Sequence, residues 1–246
     1  MLTDLAEVLR NAGVSVVEVS GWRDRGHGPQ SSVQCIVIHH TAGASSGEAP
    51  SLDVVRDGRS DLAGPLAHFV VGRSGTWYVI AAGRCWHAGR TLEDWQANEN
   101  SIGIEAENTG SGPWPGQQYT ALIKGTKALA AYYSVPLDRV RGHKEVCAPI
   151  GRKTDPSFPM PAFRVGLGAA PRPPADKAFP TLKKGSKGPF VERIQRFLGV
   201  VGPGEPGYGT YGPKTVEAVC RYQAMRGIAV DGVCGPKTWR ETGLRP

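Results

Sequence analysis

Residues 166–180, GLGAAPRPPADKAFP, set the first limit on what this chain can fold into. The stretch is rich in proline, alanine and glycine and has almost no apolar periodicity, so it cannot supply a layer of one continuous core. It reads as a semi-rigid linker that divides the 246 residues into a larger unit at 1–165 and a smaller one at 181–246. Formal charge divides at the same place. Residues 1–165 hold 16 Lys+Arg and 16 Asp+Glu, whereas residues 166–246 hold 13 and 6, so the whole net charge of +7 lies in the last third. A basic tail on a neutral body points either to a polyanionic partner, such as nucleic acid, a membrane surface or a cell-wall polymer, or to solubility alone.

Ahead of the linker, extended and helical patterns alternate. VSVVEVS (14–20) and VQCIVIHH (33–40) have the β-branched, apolar character of strands. HFVVGRSGTWYVIAA (68–82) places two β-rich runs around Arg73-Ser74-Gly75, a hairpin signal. NSIGIEAEN (100–108) sets Ile102, Ile104 and Ala106 against polar partners, which predicts a half-buried strand. PGQQYTALIKGTKALAAYYSV (115–135) repeats Tyr119, Leu122, Ile123, Thr126 and Leu129 at helical spacing, framed by proline at its start and by Pro136 after its end. The N-terminal MLTDLAEVLRNAG is an amphipathic helix with Leu2, Leu5 and Leu9 on one face. The expected class is α/β, a mixed central sheet flanked by helices and followed by a small three-helix domain.

That small domain carries an internal echo. GTYGPKTVEAV (209–219) and DGVCGPKTWRE (231–241) share the tetrad GPKT at a spacing of 23 residues, and in each the proline falls where a first helical turn tolerates a missing N–H. PFVERIQRFLG (189–199) supplies a third helix, with Phe190, Ile194, Phe197 and Leu198 expected on its inner face and Trp239 in the bundle core. No nucleophile–base pair occurs here, so binding is the expected role. The tail has no basic-and-aromatic strand platform of the kind that binds nucleic acid.

No run of about 18 apolar residues occurs, so no membrane-spanning helix is expected. The N-terminus has neither the basic start nor the apolar block of a secretory signal, which predicts synthesis in the cytoplasm. Five cysteines at scattered positions make no disulfide framework and fit a reducing compartment.

The chemistry-bearing residues form two clusters. The strand CIVIHH ends on His39 and His40, whose side chains point to opposite faces, so only one can reach a common site. RVRGHKEVCAPIGRKTDPSF (139–158) carries His143, Cys147, Lys153 and Asp155 among turn residues. One of the two histidines with His143 and Asp155 would leave an open fourth position, the pattern of catalytic zinc. Cys147 is a rival third ligand or a small buried hydrophobe. Glu105 and Glu107 face away from Ile102 and Ile104, toward either a cleft or solvent. His68, Trp86 and His87 could line a substrate groove, pack in the core or support the site from behind, and His27 reads as a loop residue.

IVIHHTAG, SIGIEAENTG and GHKE…RKTDPSF, in this order and separation, resemble the zinc-dependent N-acetylmuramoyl-L-alanine amidases, whose fold is shared with the peptidoglycan-recognition proteins. The resemblance covers roughly residues 30–165. It implies a single catalytic zinc ion held by His39, His143 and Asp155, with Lys153 stabilising the transition state and Glu105 as the catalytic acid or base. One branch of the family has a tyrosine before the histidine of the HF strand; Ala67 stands there instead, which places more weight on Glu105. The tail resembles the three-helix peptidoglycan-binding domain often fused to such enzymes. Together these imply a monomeric bacteriophage endolysin, made in the host cytoplasm without a signal peptide and acting on the wall after release. Bacterial peptidoglycan is the implied partner, without nucleic acid or membrane insertion. The alternatives are a wall-binding protein without catalysis and an intracellular amidase that recycles muropeptides.

Overall fold

A computed structural model describes residues 1–168 and 179–244. Residues 169–178 of the linker expected at 166–180 lie outside the described residues. The chain divides into two compact units, Met1–Val146 with Thr154–Pro171, and Cys147–Lys153 with Arg172–Pro246.

In the larger unit the elements run α1 (Leu5–Asn11), β1 (Val16–Glu18), β2 (Cys35–His40), α2 (Leu52–Asp57), β3 (Gly58–Arg59), β4 (Leu62–Ala63), β5 (Phe69–Val71), β6 (Trp77–Val79), β7 (Ser101–Ala106), α3 (Gly116–Tyr132), β8 (Val140–Gly142), α4 (His143–Val146) and α5 (Met160–Gly166). Six strands form one sheet in the order β1-β6-β5-β7-β2-β8, while β3 and β4 make a separate small hairpin. The β5–β6 hairpin around Arg73-Ser74-Gly75 is the antiparallel pair in a sheet whose other pairs are parallel. The sheet is therefore mixed and flanked by helices.

The two faces of the central strands differ in kind. Ile36 and Ile38 of β2, Phe69 and Val71 of β5, and Ile102, Ile104 and Ala106 of β7 enter one core with Leu5 and Leu9 of α1, Leu122 and Leu129 of α3, and Phe163 of α5. The opposite face carries Cys35, Val37 and His39 on β2, and Ser101, Gly103 and Glu105 on β7, because neighbouring strand residues point to opposite sides. Here the structure differs from the half-buried strand expected at 100–108. All of β7 except Glu105 is buried, since the strand lies between β5 and β2 and is covered on both faces.

Strands β7, β2 and β8 are mutually parallel neighbours, with His39 in register with Glu105 and Ile38 in register with Gly142. Their carboxyl ends therefore emerge side by side, the usual place for a site in an open α/β sheet.

The smaller unit contains α6 (Pro189–Leu198), α7 (Pro213–Met225) and α8 (Pro236–Thr242), each with proline in its first turn. Trp239 is buried and stacks on Phe179, with ring centroids 4.1 Å apart. The inner face of α6 differs from expectation at one position. Val191 is buried beside Ile194, Phe197 and Leu198, while Phe190, at the helix start, is exposed. Two buried glutamines organise the loops between these helices. Gln195 donates to the carbonyls of Gly207 and Thr210 and to the Thr215 hydroxyl. Gln223 repeats this toward Asp231, the Val233 carbonyl and Thr238. Thr215 and Thr238 are the threonines of the two GPKT tetrads, so the repeat encodes a buried hydrogen-bond acceptor as well as a helix start.

Candidate metal centre

Strand β2 ends by delivering His39, and strand β8 ends at Gly142, immediately before His143 opens α4. Asp155 comes from the following loop, and its backbone is tied to α4 by the Lys144 N–H donating to the Asp155 carbonyl at 2.8 Å. The three side chains converge. His39 Nδ1 lies 3.0 Å from His143 Nδ1 and 3.0 Å from Asp155 Oδ2, and His143 Nδ1 lies 3.2 Å from the same oxygen. All three residues are buried. Cys147, the rival ligand, is also buried but stands outside this group.

Proton placement tests whether the group suits a cation. His143 Nε2 faces the Ala88 carbonyl at 3.1 Å, and a carbonyl can only accept, so Nε2 carries the proton and Nδ1 presents a lone pair. His39 Nε2 lies 3.2 Å from His87 Nδ1, while His87 Nε2 lies 3.3 Å from the Ser101 carbonyl. The Ser101 carbonyl likewise only accepts, so the neutral His87 ring is protonated at Nε2. His87 Nδ1 is then an acceptor for the proton on His39 Nε2, and His39 Nδ1 is bare. Two imidazole lone pairs and a carboxylate oxygen thus meet at one point, an arrangement that repels itself without a cation in the middle. Two ligands on one tetrahedral zinc ion stand about 3.3 Å apart, close to the spacing here. Two imidazoles and one carboxylate suit zinc better than a hard cation, and three protein ligands leave one position open.

The surroundings are consistent with this proton placement. Burial, reinforced by the neighbouring imidazoles of His39, His68 and His143, holds His87 well below its ordinary pKa and keeps the ring neutral. Burial also pushes His68 down to about 3.

The remaining candidate residues separate by position. Glu105 is partly exposed at the rim, with Oε1 4.0 Å from His39 Nδ1. Lys153 is exposed and precedes Asp155 by two residues. His40 turns away from the cluster and accepts the Ser157 N–H at its Nδ1, 3.2 Å away. Glu107 is fully buried and binds the Thr41 hydroxyl and the backbone and hydroxyl of Ser51, which pins the loop after β2. His68 and His87 were expected in a substrate groove or behind it. Both residues are buried. Trp86 is half-buried between the His27 ring, 4.5 Å away, and the Arg84 guanidinium, 4.9 Å away.

Sequence reasoning missed Ser101, Gly103 and Asn98. A Cβ on Gly103 would lie 2.5 Å from His87 Cγ, so this glycine makes room for the imidazole inside the sheet face.

Comparison with known proteins agrees with this geometry. Residues 29–158 match the N-acetylmuramoyl-L-alanine amidase family, and residues 187–241 match the peptidoglycan-binding-domain family. The chain is 38% identical over 88 residues to a 1,6-anhydro-N-acetylmuramyl-L-alanine amidase, AmpD, of Enterobacter cloacae, covering 35% of this chain and 44% of that protein. It is 45% identical over 60 residues to the N-acetylmuramoyl-L-alanine amidase CwlL of Bacillus licheniformis, covering 23% of this chain and 17% of that one. The chain spans about half the length of the AmpD relatives it matches. Among solved structures, AmiD from E. coli, in complex with anhydro-N-acetylmuramic acid-L-Ala-D-gamma-Glu-L-Lys, aligns over 88% of both chains at 20% identity with a TM-score of 0.56. AmpDh3 from Pseudomonas aeruginosa aligns over 89% of this chain and 91% of its own at 19% identity, with a TM-score of 0.51; both likenesses speak for the fold. The family match covers more than half of the sequence, and the chain belongs to the N-acetylmuramoyl-L-alanine amidase family.

Proposed function

We propose that this protein is a lytic amidase of the endolysin type, which cuts the amide between N-acetylmuramic acid and L-alanine in intact bacterial walls. The observation that carries this reading is one chain with both an amidase-family metal centre and a separate peptidoglycan-binding match. A wall anchor concentrates an enzyme on an insoluble polymer and gives no advantage on small soluble fragments.

His39, His143 and Asp155 would hold one zinc ion. When bound, the ion supplies a water of pKa near 7 and polarises the scissile carbonyl. Glu105, with Oε1 4.0 Å from His39 Nδ1, would take a proton from the attacking water and return it to the leaving nitrogen. Lys153 is assigned to the oxyanion that develops on the carbonyl oxygen, where fixed positive charge counts most. The domain assignment that goes with this reading is catalysis in 1–165, a linker at 166–180 and wall binding in 181–246. The partner is peptidoglycan, without nucleic acid or membrane insertion, and the active form is a monomer. The place of action is the wall, reached after synthesis in the host cytoplasm. No helix among the described residues is long and apolar enough to cross a membrane.

Mass analysis of purified walls after digestion tests the reading. Free L-alanine amino termini without new reducing sugar ends are expected, and Glu105→Gln should abolish their release. Cleavage at a sugar linkage, or full activity in Glu105→Gln, would overturn it. A second reading, recycling of soluble muropeptides, is favoured by the likeness to the AmpD relatives. Full activity on small anhydro-muropeptides with none on intact walls would select it.

A further inference from the structure

The machinery proposed above leaves the buried His87 unused. It is hidden and touches His39 on the side away from the ligand cluster. Its surroundings are built with care. The Ser101 hydroxyl donates to the Ala97 carbonyl at 2.8 Å and lies 3.1 Å from that of Gln96. With its proton committed there, this hydroxyl can only accept from His87 Nε2, 3.3 Å away, as does the Ser101 carbonyl at 3.3 Å. Gly103 leaves the space the ring occupies. Asn98 Oδ1 accepts both the His87 and the Ala88 backbone N–H groups, at 3.0 and 2.8 Å.

We propose that His87 is a positioning residue which fixes His39 in the tautomer that leaves Nδ1 bare toward the ligand cluster, by a chain of hydrogen bonds running from His39 through His87 to Ser101. The neighbouring Ala88 carbonyl performs the same task for His143. The two-residue segment 87–88, clamped by Asn98, thereby orients both imidazoles from behind. An unsupported imidazole would divide its population between two tautomers and turn about its side-chain bonds, and each loss weakens metal binding. Removing partners of this kind costs about 10–100-fold in metal affinity.

The inference rests on the metal-centre reading, and the experiment separates the two. Zinc affinity of the full chain is measured by competition with a chromogenic chelator, for the wild type, His87→Leu and His87→Asn. His87→Leu is expected to bind zinc about 10–100-fold more weakly. His87→Asn offers a carbonyl oxygen near the position of Nδ1 and is expected to recover most of the loss. Leu122→Ala, on the opposite face of the sheet, controls for general loosening and should leave zinc affinity unchanged. Long-range ¹H–¹⁵N imidazole spectra of the metal-free wild type should find the His39 proton on Nε2. A wild type that binds no zinc would overturn the metal centre itself. A zinc-binding wild type with His87→Leu within about twofold of it would overturn the inference alone. Where His87→Leu does not fold, the wild-type spectrum decides, and a proton on His39 Nδ1 sinks the proposal.

Discussion

Two adjacent histidines with opposite duties give the sharpest test of the site. His39 supplies one of three converging candidate ligand atoms, so His39→Ala would leave two, and stoichiometric zinc should be lost at micromolar protein. His40 contributes a single hydrogen bond, accepting the Ser157 N–H at 3.2 Å from a half-buried ring. One such bond is worth about 1 kcal/mol net. If the whole of that cost fell on the fraction of molecules with the Asp155 loop in place, apparent zinc affinity would fall by about fivefold at most. The melting temperature would drop by roughly 2–4 °C for a chain of this length. The assay is metal content after gel filtration, with chelator competition for His40→Ala. Retention of zinc by His39→Ala, or its loss from a folded His40→Ala, would show that the register of β2 is read wrongly.

The other predictions concern the scaffold. Gly125 sits in the middle of α3, where alanine would ordinarily add about 1 kcal/mol of helix stability. Its Cβ, however, would lie 2.3 Å from Trp77 Cζ2 and 3.0 Å from Leu9 Cδ2, and overpacking of this kind costs about 1–3 kcal/mol. Gly125→Ala should therefore lower the melting temperature in a thermal scan, and a rise would contradict the packing. All five cysteines are free; Cys35, Cys85, Cys147 and Cys234 are buried, and burial pushes the Cys35 thiol up to about 12. A disulfide-exchange reagent should titrate one thiol, Cys220, quickly in the native chain and all five in denaturant. Two or more fast thiols would refute this burial pattern.

What the sequence made legible follows the range of the forces involved. The strand ending in HH declares itself by an unbroken apolar run, the hairpin at Arg73-Ser74-Gly75 by its turn residues and the long helix over 116–132 by apolar periodicity, all of them local signals. The Gly-Pro helix starts of the tail were readable for the same reason. The inner face of α6 was misjudged by one position because Phe190 sits at the first turn, where the bundle has not yet closed over the helix. The support behind His39 was invisible for a different reason. His87, Asn98, Ser101 and Gly103 come from separate segments, and their roles depend on which strand lies next to which. Neither β7's central place nor the burial of both its faces could be derived from its own residues.

The residues that directly follow His39 and His143, the two candidate histidine ligands, share one task. His40 accepts the Ser157 N–H, and the Lys144 ammonium donates to the carbonyls of Pro156 and Phe158. Both grip the segment that begins with Asp155. Trp114 adds a third hold by donating to the Ser157 hydroxyl at 2.9 Å. Asp155 lies outside helix and strand, and a bare loop would lose conformational entropy each time it was ordered around an ion, about 1–2 kcal/mol for each residue fixed. Holding the loop from the positions next in chain to His39 and His143 ties all three ligands to the same two strand ends. Displacing β2 or β8 would then move a ligand and the clamp on the Asp155 loop together, so the site keeps its spacing for as long as the parallel β7-β2-β8 core stays paired.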